Sequence, residues 1–83
     1  MKIVYFAWLR EKTGRAEEDV APPDRVTDVR GLIGGLQTRG TGYAEALENR
    51  AALRGAVNQE MTDFDAKVAT GDEVALFPPM TGG

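Results

Sequence analysis

The sequence predicts an α+β domain in which a mixed sheet of four to five strands packs on one main helix. Three observations favour this class. A central segment carries apolar residues at helical spacing, short β-branched and aromatic segments lie on both sides of it, and the chain is only 83 residues long. A chain of that length builds one domain with a sheet layer and a helix layer, without room for a deep enclosed cavity.

The first strand is predicted over residues 2–8, which are β-branched and aromatic. Its two faces would carry Ile3, Tyr5 and Ala7 on one side, and Val4, Phe6 and Trp8 on the other. A strand that is apolar on both faces is either central and covered twice, or covered on one side by another protein. A turn at Thr13–Gly14 would let residues 16–21 return antiparallel to it.

The main helix is predicted to begin after Thr27, a good N-cap residue. One face of this helix would carry the apolar residues Val29, Leu32, Ile33 and Leu36. Gly40 is predicted to end it, and residues 43–47 to add one or two helical turns. Three glycines lie inside the helix and would permit its close approach to the sheet, namely Gly31, Gly34 and Gly35.

Strands return after the helix. The sequence predicts one strand over residues 53–57, a turn over residues 58–60 and a short further strand over residues 61–62. Phe64 would anchor the following loop, and residues 73–77 form the last strand. The order is β-β-α-β-β, and the first and last strands would lie side by side at the centre of the sheet. That is the β-grasp arrangement.

The composition excludes several classes of function. The chain has no cysteine and no histidine, which excludes disulfides, thiolate chemistry and histidine catalysis. A net charge of −3 without a basic stripe argues against a nucleic-acid partner. No apolar run approaches the about 20 residues that a membrane span needs. We therefore expect a cytoplasmic protein with no bound cofactor or metal. Four acidic residues lack the spacing of a calcium loop and are interpreted as solvated turns: Asp63, Asp65, Asp72 and Glu73.

The segment after Phe77 has an unusual composition. It reads Pro78-Pro79-Met80-Thr81-Gly82-Gly83. The prolines favour an extended exit from the sheet, and the glycines carry no side chains. A thread with a carboxylate at its tip could enter a channel in another protein. We therefore divide the chain into a domain of residues 1–77 and a flexible tail of residues 78–83. The alternative is an inert, poorly ordered terminus.

Three stretches of the chain resemble a known family. They are residues 6–14 with Phe-Ala, Leu-Arg-Glu and Gly, residues 56–59 with Ala-Val-Asn-Gln, and residues 71–83 with Gly-Asp-Glu-Val-Ala-Leu-Phe-Pro-Pro-Met-Thr-Gly-Gly. They resemble the small subunit of molybdopterin synthase (MoaD-like), within the ubiquitin-like sulfur carriers. The last stretch is the most specific, whereas residues 31–54 fit only as a helix-containing segment.

The resemblance implies a division of labour between proteins. An adenylating enzyme related to ubiquitin activators would use ATP to activate the carboxylate of Gly83, and sulfur would then convert it to a thiocarboxylate. The tail would enter the large subunit of molybdopterin synthase, within a heterotetramer, and give its sulfur to cyclic pyranopterin phosphate. The chain would not be an enzyme on its own, because the catalytic residues would belong to the large subunit. Phe6, Phe77 and Trp8 would contact that subunit.

Other functions remain open from the sequence. The chain could carry sulfur for thiamine thiazole, a thiolated tRNA base or cysteine, since those carriers would share the fold and the Gly-Gly end. It could also be a protein modifier that is joined through Gly83 to lysines of its targets. A plain interaction module with an inert tail is the third alternative.

Overall fold

The computed structural model describes residues 1–21 and 26–79. Within these ranges, five strands form one mixed sheet in the order β2-β1-β5-β3-β4, and three helices accompany it. The elements are β1 (Lys2–Tyr5), α1 (Trp8–Thr13), β2 (Glu17–Asp19), α2 (Val29–Gln37), α3 (Thr41–Leu47), a 3-10 turn (Arg50–Ala52), β3 (Arg54–Val57), β4 (Glu60–Thr62) and β5 (Glu73–Phe77). The predicted β-grasp fold is confirmed, with β1 and β5 parallel at the centre.

The core lies between α2 and one face of the sheet. The strands contribute Ile3, Tyr5, Val74 and Leu76, and the helix contributes Val29, Leu32, Ile33 and Leu36; all are buried. The predicted apolar helix face is therefore the face that packs. Phe64, in the loop after β4, packs against this core as predicted. Among the described residues, no helix is long and apolar enough to cross a membrane.

The first predicted strand is too long. β1 ends at Tyr5, and Ala7 takes a φ of 55° that turns the chain into α1. The amides of Leu9 and Arg10 donate to the carbonyls of Phe6 and Ala7 at 3.1 Å, which starts the helix. Burial of Leu9 favours this turn, because its side chain reaches the core. Gly14 ends α1 with a φ of 78° instead of closing a tight hairpin.

The residues predicted to begin and end the main helix, α2, were both wrong. Asp28, not Thr27, caps α2, and its carboxylate accepts a hydrogen bond of 2.8 Å from the amide of Gly31. The helix ends at Gln37, and Gly40 is instead the N-cap of α3. The second helix over residues 41–47 is confirmed and is longer than predicted.

The hairpin of β3 and β4 has a turn of only two residues. Asn58 and Gln59 have φ values of 51° and 71°, and Glu60 already pairs with Val57. Positive φ at both central positions is typical of a type I′ turn. This turn fixes the register that places Met61 opposite Ala56.

Candidate functional site

Two aromatic rings meet where the central strands end. Phe77 is the last residue of β5, and Phe6 directly follows β1. The amide of Phe6 donates to the carbonyl of Leu76 at 3.1 Å, so the parallel pairing continues one residue past β1. The two ring centroids lie 6.4 Å apart at an interplanar angle of 83°. This edge-to-face contact is a favourable aromatic geometry, and the structure brings these two predicted residues together.

The rings belong to a larger apolar surface on the sheet. Val74 and Leu76 point into the core, so Ala75 and Phe77 lie on the opposite side. The strand registers place Val4, Ala75, Ala56 and Met61 in one row across that side. We call this surface the outer sheet face; it comprises Val4, Phe6, Ala56, Met61, Ala75 and Phe77.

Met61 is the residue of this surface that sequence reasoning missed. It is 68 % exposed, more than Phe6 at 49 %, and these two are the exposed large hydrophobic residues of the described chain. The signal was available in the hairpin. A two-residue turn at Asn58–Gln59 pairs Ala56 with Met61 and therefore puts both on one side of the sheet.

Charged residues border the outer sheet face at the other end of the strands. The ammonium group of Lys2 lies 2.9 Å from a carboxylate oxygen of Glu17 and 3.7 Å from one of Glu73. The hydrogen bond to Glu17, more than the charge of Glu73, raises the pKa of Lys2 above its ordinary value. The sheet surface is thus charged where β5 begins, and where β5 ends it carries the two aromatic rings, with Arg54 as the cross-strand partner of Phe77.

Trp8 does not lie on this surface in the way that the sequence predicted. It was expected to continue the first strand in line with Phe6, but it is the first residue of α1. Its side chain is half-buried and packs against the core. The prediction was wrong because the turn at Ala7 ends the alternation of the strand. A role for Trp8 in partner contacts stays a prediction.

The chain leaves the outer sheet face directly after Phe77. Pro78 and Pro79 follow it and are half-buried. The predicted tail residues Met80, Thr81, Gly82 and Gly83 lie outside the described residues. The last described residue, Pro79, thus stands two positions beyond the aromatic pair.

A parallel pair of central strands, one main helix packed on the inner face and an antiparallel neighbour on each side of the pair define a ubiquitin-like β-grasp protein. The sequence profile of the ThiS family matches residues 3–83. The molybdopterin synthase sulfur carrier subunit of Escherichia coli is 39 % identical over 83 residues, which is all of this chain and 99 % of that protein. The chain therefore belongs to the ThiS family of ubiquitin-like sulfur carriers.

Two solved structures are similar to this chain over 95 % or more of its length. One, described as subunit 1 of a molybdopterin converting factor of Pyrococcus furiosus, has a TM-score of 0.78 and 30 % identity over 95 % of both chains. The other is SAMP1 of Haloferax volcanii, with a TM-score of 0.74 and 30 % identity over 100 % of this chain and 98 % of that one.

Proposed function

We propose that this chain is the sulfur-carrier subunit of a molybdopterin synthase. The observation that carries the proposal is the full-length identity of 39 % to a relative bearing that name, which is higher than its 30 % identity to SAMP1. The outer sheet face supports it, because a carrier must dock on other proteins and this surface exposes two large apolar side chains. Contact with cytoplasmic ATP-consuming enzymes would make the carrier itself cytoplasmic.

The proposed chemistry takes place at the carboxylate of Gly83. This carboxylate attacks the α-phosphate of ATP in the activating enzyme, and pyrophosphate leaves. Sulfur at the sulfide level, as HS⁻, then displaces AMP from the acyl-adenylate, and loss of a proton leaves the thiocarboxylate. The chain supplies the terminal carboxylate, and the adenylating enzyme and the large subunit supply the catalytic residues. This mechanism requires no cysteine in the carrier, which agrees with the sequence.

The proposed docking surface lies next to the proposed reactive tail. A large subunit that covers Phe6, Phe77 and Met61 would hold the chain at the point where the tail begins. Burial of one such aromatic ring would contribute about 1.5–3 kcal/mol to binding. From there, residues 78–83 would reach into the active site of the partner. Two such carriers on a dimer of large subunits would give the expected heterotetramer.

The experiment is intact-mass analysis of the purified chain after incubation with the activating enzyme, ATP and a sulfur donor. We expect a mass increase that matches exchange of one oxygen atom for sulfur, located at Gly83 by fragmentation. Two variants serve as matched tests: deletion of Gly83, and addition of one glycine after it, which keeps the Gly-Gly sequence but displaces the carboxylate. Both should fold like the parent and fail to support molybdopterin formation. A truncated chain that still supports it would contradict the proposal.

A second function is favoured by one observation. The likeness to SAMP1 extends over the whole chain, and a further similar structure of Haloferax volcanii is described as small archaeal modifier protein 1. A modifier would form an isopeptide bond between Gly83 and lysines of other proteins. The same incubation with a cell extract distinguishes the two functions. A ladder of conjugates supports the modifier, the sulfur mass shift supports the carrier, and no change under either condition would indicate an inert tail.

A further inference from the structure

A basic cleft borders the outer sheet face beside Arg54, where the start of β3 meets the loop after β4. Its volume is about 380 Å³, and its lining includes three arginines and one aspartate. The charged residues of the lining are Arg30, Arg50, Arg54 and Asp63. This concentration of positive charge stands out in a chain whose net charge is −3. An anion is the ligand that such a lining attracts.

Arg50 is held in place before any ligand binds. Its Nε donates to the carbonyl of Leu47 at 3.1 Å, and one terminal nitrogen donates to Oε1 of Gln37 at 2.6 Å. These bonds attach the half-buried guanidinium group to the ends of α3 and α2. The other terminal nitrogen has no partner among the described residues. A guanidinium group that is already ordered loses little side-chain entropy when it binds an anion.

Arg54 is also held by hydrogen bonds to backbone carbonyls. One of its terminal nitrogens donates to the carbonyls of Leu53 and Ala51 at 2.8 and 3.3 Å. Its remaining N–H groups make no hydrogen bond to the described part of the chain. Arg30, by contrast, is paired with the carboxylate of Asp65. Arg50 and Arg54 are therefore the two cations that can receive a ligand.

We propose that this cleft binds the phosphoryl group of a small organic phosphate between Arg50 and Arg54. A phosphate monoester carries about two negative charges and three acceptor oxygens, and so matches two guanidinium groups better than a carboxylate does. Thr62 adds a hydroxyl donor to the lining, and Phe64 adds an aromatic wall for the organic part. The volume falls within the range of about 300–1,000 Å³ that small-molecule sites occupy.

The test is an NMR titration of the ¹⁵N-labelled full chain with AMP and, separately, with inorganic phosphate, at an ionic strength held constant with sodium chloride. We expect saturable shifts of the side-chain resonances of Arg50 and Arg54 and of the amide of Thr62. AMP should bind several-fold more tightly than inorganic phosphate, because only AMP can contact Phe64. Equal affinities for AMP and inorganic phosphate would overturn the proposal that the ligand has an organic part. Shifts that do not saturate, or that spread over the whole surface, would overturn the site.

Charge variants of opposite sign sharpen this test. Arg54→Gln should weaken AMP binding about tenfold or more, because a charge-assisted hydrogen bond is lost. Asp63→Asn should tighten it, since its carboxylate repels the ligand while the amide can still accept the bond from the backbone of Asp65. Arg10→Gln, an exposed change on α1 with the same loss of charge, is the control and should leave the affinity unchanged. Equal weakening by Arg10→Gln and Arg54→Gln would indicate only a general charge effect and overturn the proposal. The titration uses the isolated chain without other enzymes, so its outcome is separate from that of sulfur transfer.

Discussion

At the scale of single residues, Gln59 adopts a backbone conformation that its side chain disfavours. Its φ of 71° lies in the left-handed region, at the second central position of the β3–β4 turn. Glycine is the preferred residue there in type I′ turns, and the turn would then have the favoured sequence Asn-Gly. We predict that Gln59→Gly raises the free energy of unfolding by about 0.5–1 kcal/mol. Urea denaturation monitored by circular dichroism measures this change.

Asn58 provides a matched control in the same turn. Its φ of 51° is also left-handed, but its carboxamide donates to Oδ1 of Asp72 at 3.1 Å and accepts from the amide of Glu73 at 3.0 Å. Asn58→Gly removes both bonds, so it should lower the free energy of unfolding although glycine suits the dihedral angle. If both substitutions stabilise the protein equally, the side chain of Asn58 has no role in this turn.

The hydrogen bond between Asn58 and Asp72 also affects how the stability of the fold depends on pH. The hydrogen bond from Asn58, followed by that from the amide of Ala69, lowers the pKa of Asp72 below its ordinary value. A carboxyl group with a lowered folded-state pKa stabilises the fold above its unfolded-state pKa and loses that contribution as the pH falls through the folded-state value. Asn58→Gly should therefore move the pKa of Asp72 upward, which NMR titration of the side-chain carboxyl carbon measures. An unchanged pKa would show that the bond from Ala69 alone sets it.

At the scale of elements, one glycine sets the distance between α1 and α3. A Cβ atom added to Gly42 would lie 2.1 Å from the carbonyl oxygen of Lys12, so α1 would have to shift. We predict that Gly42→Ala lowers the free energy of unfolding by about 1–3 kcal/mol, as overpacking does. Gly34→Ala in α2 is the control. Its Cβ would meet nothing within 4 Å, and helix propensity should raise stability by about 1 kcal/mol. Thermal or urea unfolding of both variants measures the free energies of unfolding. Stabilisation by Gly42→Ala would contradict the close contact between α1 and α3.

The contrast between Gly34 and Gly42 also shows which features of the packing could be predicted from the sequence. We expected close approach at Gly31, Gly34 and Gly35, but Gly34 and Gly35 would tolerate a Cβ freely and the tight contact lies at Gly42. Periodicity identifies which face of a helix packs, and it predicted the buried face of α2 correctly. It carries no information about the distance between two helices that are far apart in sequence, because that distance depends on the tertiary arrangement.

The strands show the same limit. The last strand was predicted with its observed bounds, residues 73–77, because turn residues and prolines mark both of its ends. The end of β1 was missed since Ala7, whose φ is 55°, is not a residue that indicates a turn. Consequently Phe6 was placed correctly beside Phe77, whereas Trp8 was not. The partner role of all three residues stays a prediction.

Glu18 is a further feature that only the structure reveals. It stands between two other acidic residues, and the sequence does not distinguish the three. Its side chain is only 6 % exposed and accepts hydrogen bonds of 2.8 Å from the hydroxyls of both Tyr5 and Tyr43, while Arg39 lies 3.1 Å away. Burial, and then the bond to Glu18, raises the pKa of Tyr5 far above its ordinary value. The edge strand β2 is thereby attached to the helical layer through a satisfied buried carboxylate.

At the scale of the whole molecule, the two sides of the sheet differ in burial. The inner face supplies the core with Ile3, Val74 and Leu76, all fully buried, so it is committed to stability. On the outer sheet face, Phe6 and Met61 are exposed. Phe6 lies beside Phe77, the last residue of β5 before the tail. If the outer sheet face is the docking surface as proposed, alternate residues of the same strands carry stability and partner binding, and substitutions on β5 will separate the two.

Adjacent residues of β5 provide that separation. Phe77→Ala should weaken binding to the large subunit of molybdopterin synthase by about tenfold or more, because a ring worth about 1.5–3 kcal/mol of burial is removed from the proposed interface. Its effect on the free energy of unfolding should be smaller than that of Leu76→Ala, which leaves a cavity in the core and should cost about 2–5 kcal/mol. Calorimetric titration with the purified large subunit measures the affinity, and urea denaturation of the free chain measures the stability. Wild-type affinity for the Phe77→Ala variant would remove Phe77 from the interface, and the outer sheet face would then have to bind through Met61 and Phe6 alone or serve another partner.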